Sequence, residues 1–474
     1  MLTYIKINGF KSFHQFEMKF TPFTVIAGVN ASGKSNLFDA LKLLARLAET
    51  DNLKKAFKEQ RGDFMELFTQ YAENEYATEM EFCVEMLVNQ KVKDAWGNQT
   101  QLKYTRLRYD LKIKRFTNSS GIEDLAVISE NLVNLKHQED QWIKLIDSDK
   151  VETWRPKVIV GKRGRPYIET AEDKDKVKIN LYQDGSDSRK ISRVFNLHNA
   201  IRTVLSSVDT IDFPHVLAAK TEMQQWRFLG FNPDDLRQPT NKNTGEDILS
   251  QSGKNLAAVL HRIKQDDDYT LIEISRKLQT FLPNFIGVTV IDDAENRQYV
   301  IKVKDKDKKE YSSKVLSEGT LRVLALCILE YDSQHTGLLC FEEPENGIHP
   351  FLIKPMATLL KALSNNFKDV ETPLRQVIVN THSPILVGNI LELYMDDKNV
   401  SIHLSRMVNR VTTIENRRIG VSITNMDNPF EGYTETAGGI FTQIEQKAKM
   451  KYALSNVKQY LETSDFSQLK GKLN

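Results

Sequence analysis

One stretch constrains this chain more than any other: Gly28-Val29-Asn30-Ala31-Ser32-Gly33-Lys34-Ser35, which reads G-x-x-x-x-G-K-S. Phe23, Val25 and Ile26 precede it as an apolar, partly β-branched run that reads as a buried strand. Leu37, Ala40, Leu41, Leu44 and Leu47 follow at helical spacing. Strand, glycine-rich turn and helix make a phosphate cradle. The glycines let successive backbone N–H groups turn inward, and the helix N-terminus adds partial positive charge. Lys34 is placed to reach β- and γ-phosphates, and Ser35 to take one position on Mg²⁺. Gly28, Asn30, Ala31, Ser32, Gly33 and Asn36 complete the expected contacts to ATP.

At 474 residues the chain is long enough for two or three domains with sizeable cores. Lys+Arg 65 against Asp+Glu 63 leaves a net charge of +2, so bulk charge does not announce a nucleic-acid binder. Cys83, Cys327 and Cys340 are scattered through apolar runs without metal-ligand spacing, as buried thiols in a reducing compartment would be. Met1–Ile7 alternates like a strand and lacks the apolar region of a secretion signal. No apolar run reaches the ~18 residues of a membrane span. A cytoplasmic protein without a membrane partner is expected.

Along the chain, strands are expected at Thr3–Ile7 and Phe16–Phe20, and the helix after the phosphate loop is expected to reach Ala48. A charged stretch containing Arg61-Gly62-Asp63 follows, then strand-like alternation over Ala77–Val88 and Leu102–Ile113. Residues 1–115 thus read as one lobe of an α/β head. Residues 116–285 read as a mostly helical insertion with a strand-rich rim, with helical periodicity at Ile191–Leu205, Ile248–Ile263 and Leu271–Phe281. Residues 286–405 return to strands and helices as the second lobe, opening on a hairpin of Gly287–Ile291 and Gln298–Val303 and a charged loop over Lys302–Lys309. Residues 406–474 form a polar extension in which Phe441–Leu461 reads as one amphipathic helix.

Three further constellations carry chemistry. Leu338–Phe341 is an apolar strand ending in Glu342 and Glu343. An acid at such a strand end holds Mg²⁺, and the next acid orients the water that attacks the γ-phosphate. Glu342 therefore stands in the metal position and Glu343 in the catalytic one. Val377–Thr381 is a second buried strand, ending at His382, which can hydrogen-bond the γ-phosphate or the attacking water. Leu316-Ser317-Glu318-Gly319-Thr320 opens an apolar helix, and its N-terminus reads either as an anion site for another subunit's nucleotide or as an ordinary serine cap.

In this order, the phosphate loop, Leu-Ser-x-Gly signature, Glu-Glu strand and His382 resemble ABC-type ATPases. Ile7-Asn8-Gly9-Phe10-Lys11-Ser12-Phe13, with Phe341-Glu342-Glu343-Pro344-Glu345-Asn346-Gly347-Ile348-His349-Pro350, is similar to the SMC/RecF/OLD branch of that superfamily. The resemblance covers about residues 1–115 and 286–405. It implies a mixed sheet flanked by helices, the ABC-type P-loop ATPase head, and a head-to-head homodimer sandwiching two ATPs. Ser317 and Gly319 would contact the partner's γ-phosphate, and Glu345 to His349 would meet the opposite subunit, with His349 where many members have Asp. Gln99 and Gln101 are candidates for the glutamine that senses Mg²⁺. Glu431-Gly432-Tyr433-Thr434-Glu435 has the start of a Toprim nuclease domain but neither a preceding strand nor a following Asp-x-Asp, so it reads as coincidence. Arg163-Gly164-Arg165-Pro166 resembles an AT-hook core but reads better as a solvated basic loop.

An arm-less ATPase of this branch without a nuclease domain is similar to the ATPase subunits of bacterial anti-phage systems such as the Septu type. That likeness implies a separately encoded nuclease or toxic effector as partner. The alternative is a RecF- or SMC-like DNA-maintenance ATPase, with DNA as partner. A transporter motor is disfavoured by the roughly 280 residues between phosphate loop and signature.

Overall fold

The computed structural model describes residues 1–156, 166–173, 176–183, 191–243, 248–365, 367, 374–414 and 417–430. Gly161–Arg165, Asp184–Ser186, Glu431–Glu435 and the expected helix Phe441–Leu461 lie outside the described residues. In chain order the first elements are β1 (Leu2–Asn8), β2 (Phe16–Lys19), β3 (Phe23–Ala27), α1 (Lys34–Glu49), α2 (Leu53–Lys58), β4 (Gln70–Ala72), β5 (Glu75–Tyr76) and β6 (Glu79–Leu87). Next come β7 (Lys91–Lys93), β8 (Gln99–Gln101), β9 (Arg106–Thr117), β10 (Glu123–Asn134), α3 (Val151–Trp154), β11 (Ile168–Asp173), β12 (Lys176–Tyr182) and β13 (Ile191–Asn196). Then follow α4 (Pro214–Gln224), β14 (Arg227–Leu229), α5 (Pro233–Arg237), β15 (Thr240–Asn241), α6 (Leu256–Asp266), α7 (Tyr269–Phe281), β16 (Phe285–Asp293), β17 (Gln298–Asp305) and β18 (Glu310–Ser312). The last are α8 (Glu318–Tyr331), β19 (Gly337–Glu342), α9 (Pro350–Ala362), β20 (Arg375–Thr381), α10 (Pro384–Tyr394), β21 (Val400–Ile414) and β22 (Arg417–Asp427).

Two large sheets organise the molecule. The first has eight antiparallel strands in the order β13-β12-β11-β10-β9-β6-β1-β2, and the second runs β14-β19-β20-β3-β21-β22. In the second, β14, β19, β20, β3 and β21 are parallel and only β22 is antiparallel. Parallel strands covered on both faces are apolar throughout rather than alternating. β3 obeys this: Phe23, Val25 and Ala27 face one core while Ile26 faces the other. In β19 Leu338 and Cys340 enter the first core, and Leu339 and Phe341 the second. α1 and α4 pack in the first core, between the sheets, and α5 to α10 cover the far side of the parallel sheet. Fully burying one such leucine contributes about 1.5–3 kcal/mol. All three cysteines are buried thiols. No helix among the described residues is long and apolar enough to cross a membrane.

The register sets the site. Glu342 pairs with Asn380, Asn380 with Ile26, and Thr381 with Ala27. The carboxyl ends of β19, β20 and β3 therefore lie side by side, the crevice where parallel sheets bind ligands.

Four expectations change, the first being that of Ile248–Ile263 only the part from Leu256 is helical, in α6. Ile191–Leu205 is not helical: β13 pairs with β12 through Val194↔Asn180 and Phe195↔Ile179, and only a 3₁₀ turn at Leu205–Ser207 follows. Pairing with a sheet edge overrides the periodicity of a short segment. Among the described residues, β10 to β13 thus continue the antiparallel sheet, and apart from the short α3 the helices of the insertion begin at Pro214. Position 405 is not an element boundary, because β21 runs through it and returns as β22. Lys302 to Asp305 belong to β17, so only the remainder of that charged run is a turn.

Candidate functional site

α1 begins at Lys34, and its cap residue Gly33 supplies no side-chain hydrogen bond to the first turn. Those N–H groups are the unsatisfied donors that suit an anion. Gly33 has φ 88° and Ala31 φ 62°, a left-handed loop. A Cβ on Gly33 would lie 1.8 Å from Thr424 Oγ1, and one on Gly28 would lie 2.6 Å from the Ser405 carbonyl oxygen. Both positions thus admit only glycine. The Lys34 ammonium donates to the carbonyls of Gly28 at 2.8 Å and Val29 at 2.9 Å. Burial lowers its pKa, against the opposing charges of Glu343, Glu345 and Glu342. Asn30 and Ala31 are exposed, while the buried Ser32 hydroxyl has no partner among the described residues. Asn36 turns away, its amide donating to Ser12 Oγ at 2.8 Å.

Across the crevice, the Ser35 hydroxyl donates to Glu342 Oε1 at 3.1 Å. Two hard oxygen donors at that separation suit Mg²⁺, which takes few protein ligands and completes its shell with water and phosphate. The glycine cradle, the unpartnered Ser32 hydroxyl and this oxygen pair fit a Mg²⁺–triphosphate. Glu343 has φ 48°, strain of order 1–3 kcal/mol that commonly marks a functional site. Its N–H is held by the Asn380 carbonyl at 2.8 Å. Its two carboxylate oxygens meet His382 Nδ1 and Asn346 Nδ2, each at 2.8 Å. Burial pushes this carboxyl's pKa up, but the Asn346 and His382 hydrogen bonds, with Lys34 nearby, bring it below its usual value. Glu345 lies behind them, its Oε1 accepting from the Thr381 hydroxyl and its Oε2 buried without a hydrogen-bond partner among the described residues. Burial raises its pKa.

Ser317 caps α8, its Oγ accepting from Thr320 N at 3.3 Å. Glu318 pairs with Arg322 one turn on, at 2.9 Å. A Cβ on Gly319 would sit 2.7 Å from the Gly347 carbonyl oxygen, and Gly347, with φ 71°, has Glu318 Cδ 2.6 Å from its own would-be Cβ. The signature and the Glu343–Ile348 loop are therefore packed backbone to backbone. Among the described residues no hydrogen bond or ion pair joins Ser317–Thr320 to Gly28–Asn36. Val315 is 69% exposed beside the signature, and Phe351, 87% exposed, stacks on His349 at 5.2 Å.

The structure thus brings together Lys34, Ser35, Glu342, Glu343 and His382, and leaves Ser317 and Gly319 outside their contacts. Gln99 and Gln101 lie on β8, and among the described residues β8 pairs with β7 alone and no hydrogen bond ties either glutamine to the loop. Sequence reasoning missed Asp39. Buried on α1, it binds Arg61 at 2.9 Å and Lys11 at 2.7 Å, so that Arg61 is held within electrostatic reach of Glu342. An acid flanked by Phe38 and Ala40 on an otherwise apolar helix face was the available signal. Ser12, Ser405 and Thr424 were missed as well.

Residues 23–388 match the family model described as "AAA domain, putative AbiEii toxin, Type IV TA system". No curated protein matches the chain. Among solved structures, an Smc head bound to the C-winged helix domain of ScpA is similar at 14% identity, covering 92% of this chain and 99% of that one, with a TM-score of 0.47. The SMC head domain from Thermotoga maritima is similar at 13% identity, covering 90% and 99%, with a TM-score of 0.38. An Smc head with an extended coiled coil bound to the C-terminal domain of ScpA, derived from Pyrococcus furiosus, gives 12% identity, 96% and 99%, and a TM-score of 0.43. With its phosphate loop, strand-end carboxylates and family match, the protein is an ATPase. The chain belongs to the AAA domain family described as "putative AbiEii toxin, Type IV TA system".

Proposed function

We propose that the protein is an ATP-switched homodimer, the ATPase subunit of a bacterial anti-phage defence complex that controls a separately encoded nuclease or toxic effector in the cytoplasm. Gly28 and Asn30–Ser35 hold the triphosphate in cis, with Lys34 on its β- and γ-phosphates. Ser35 and Glu342 hold Mg²⁺, which when bound neutralises charge on the transferred phosphoryl group. Glu343 accepts the proton of the attacking water. Being ionised, Glu343 can only accept hydrogen bonds, so His382 carries its proton on Nδ1 and keeps Nε2 for the phosphate side. The partner's Ser317 and Gly319 complete each site.

One observation carries the switch. Among the described residues Ser317–Thr320 has no hydrogen bond or ion pair to its own phosphate loop, yet Gly319 is packed tightly on Gly347 of the Glu343 loop, with Val315 exposed just before the signature and Phe351 exposed just after that loop. The family's description, which names a toxin of a TA system, supports control of a toxic activity. The second reading is a RecF- or SMC-like DNA-maintenance ATPase. It is favoured by the likeness of Ile7–Phe13 and Phe341–Pro350 to the SMC/RecF/OLD branch.

Purifying tagged Glu343→Gln protein from its native host separates the two. A stoichiometric nuclease or other toxic protein supports the defence complex. Duplex DNA without such a protein contradicts it and supports the second reading.

A further inference from the structure

We infer that Ser12 and Thr424 form a latch that holds the phosphate loop in its binding shape, so that the C-terminal hairpin sets nucleotide affinity. The inference rests on the reading that this loop binds ATP. β21 and β22 touch the loop at both ends. At its start, Ser405 Oγ donates to the Ser32 carbonyl at 2.8 Å, and the Ser405 carbonyl closes over Gly28. At its end, Thr424 lies directly over Gly33.

Thr424 is joined in turn to the N-terminal loop. Its Oγ1 lies 2.6 Å from Ser12 Oγ, and its N–H donates to the Ser12 carbonyl at 2.9 Å. Ser12 Oγ accepts the Asn36 amide at 2.8 Å, which returns the chain of contacts to the first turn of α1. Three segments far apart in sequence thus meet around Gly33. The loop's left-handed residues, Ala31 and Gly33, have no cap of their own to fix them. Thr424 is 2% exposed, and besides Ser12 its hydroxyl meets only Met407 Sδ, a weak acceptor 3.4 Å away, among the described residues, so nothing of equal strength replaces Ser12. Without the latch the loop samples other shapes, and the fraction competent to bind falls. Thr424 and Ser12 are positioning residues that act through Gly33 and Asn36. Because β21 also pairs with β3 through Ile402↔Val25, whatever displaces the hairpin moves the loop with it.

The test compares Thr424→Ala, Thr424→Ser, Ser12→Ala and Lys34→Ala with the wild type. The readouts are binding of a fluorescent ATP analogue, steady-state KM and kcat for phosphate release, and melting temperature. Losing a buried hydrogen bond predicts that Thr424→Ala and Ser12→Ala raise the dissociation constant and KM on the order of tenfold while kcat stays within about twofold. Thr424→Ser, which like Thr424→Ala lacks the methyl but keeps the hydroxyl, should bind as the wild type does. Wild-type affinity in Thr424→Ala, or equal weakening in Thr424→Ser, would overturn the latch. If Thr424→Ala fails to fold, Ser12→Ala decides: weakened binding supports the latch, unchanged binding overturns it. Equal binding by Lys34→Ala and wild type would overturn the nucleotide reading and the latch with it. Loss in Lys34→Ala with Thr424→Ala unchanged would overturn the latch alone.

Discussion

His382 Nδ1 lies 2.8 Å from Glu343 Oε1, joining the end of β20 to the residue that follows β19. Asn346 takes the other oxygen, so the carboxylate is fixed in direction as well as in charge. A group so held, at a strained backbone position beside Ser35 and Glu342, suits the activation of one water molecule.

Glu343→Gln keeps the shape and removes the base. General-base catalysis contributes about 10²–10⁴-fold, so phosphate release should fall by at least about a hundredfold while ATP binding persists. Because the Glu343 pKa lies below its usual value, the carboxylate stays ionised across the neutral range. Its loss of activity should come only as pH falls below the ordinary range of a glutamate. Steady-state phosphate release against pH checks both points.

Glu130 gives a pH effect on stability of opposite sense. It is fully buried and accepts from Tyr109 Oη at 3.0 Å, Leu205 N at 2.8 Å and Val204 N at 2.6 Å. Burial raises its pKa to about 7, in spite of those three donors. The folded chain therefore keeps a proton that the unfolded chain releases near 4.5. Stability falls as pH rises between those values and is level above them. Denaturant unfolding at pH 5 and pH 8 should show the wild type losing up to about 3 kcal/mol relative to Glu130→Gln, whose own slope lacks this contribution.

Phe351 is 87% exposed in the first turn of α9, just after the loop that carries the signature's packing partner Gly347. Phe351→Asp should leave the fold and ATP binding intact and abolish ATP-dependent self-association. Melting temperature, analogue binding and sedimentation with ATP distinguish that outcome from general destabilisation.

Much of the site was legible because its parts are local. β3, the glycine loop and α1 are consecutive, and the apolar runs of β19 and β20 end in the acids and histidine that the register brings together. Contacts that depend on distant pairing were not legible. Thr424 and Ser405 sit in a polar, alternating hairpin, and only the pairing of β21 with β3 brings them to the loop. Asp39 is hidden in the same way, since its partners Lys11 and Arg61 come from separate loops. The strand β13 was misread because six residues can match helical and strand periods alike, and its partner β12 decides between them.

The mass of Glu343→Gln in solution, measured by light scattering with and without Mg²⁺–ATP, tests the switch most directly. A doubling of mass on adding ATP, reversed when nucleotide is removed and absent in Lys34→Ala, is the predicted result. An unchanged mass with ATP bound would contradict the ATP-closed dimer.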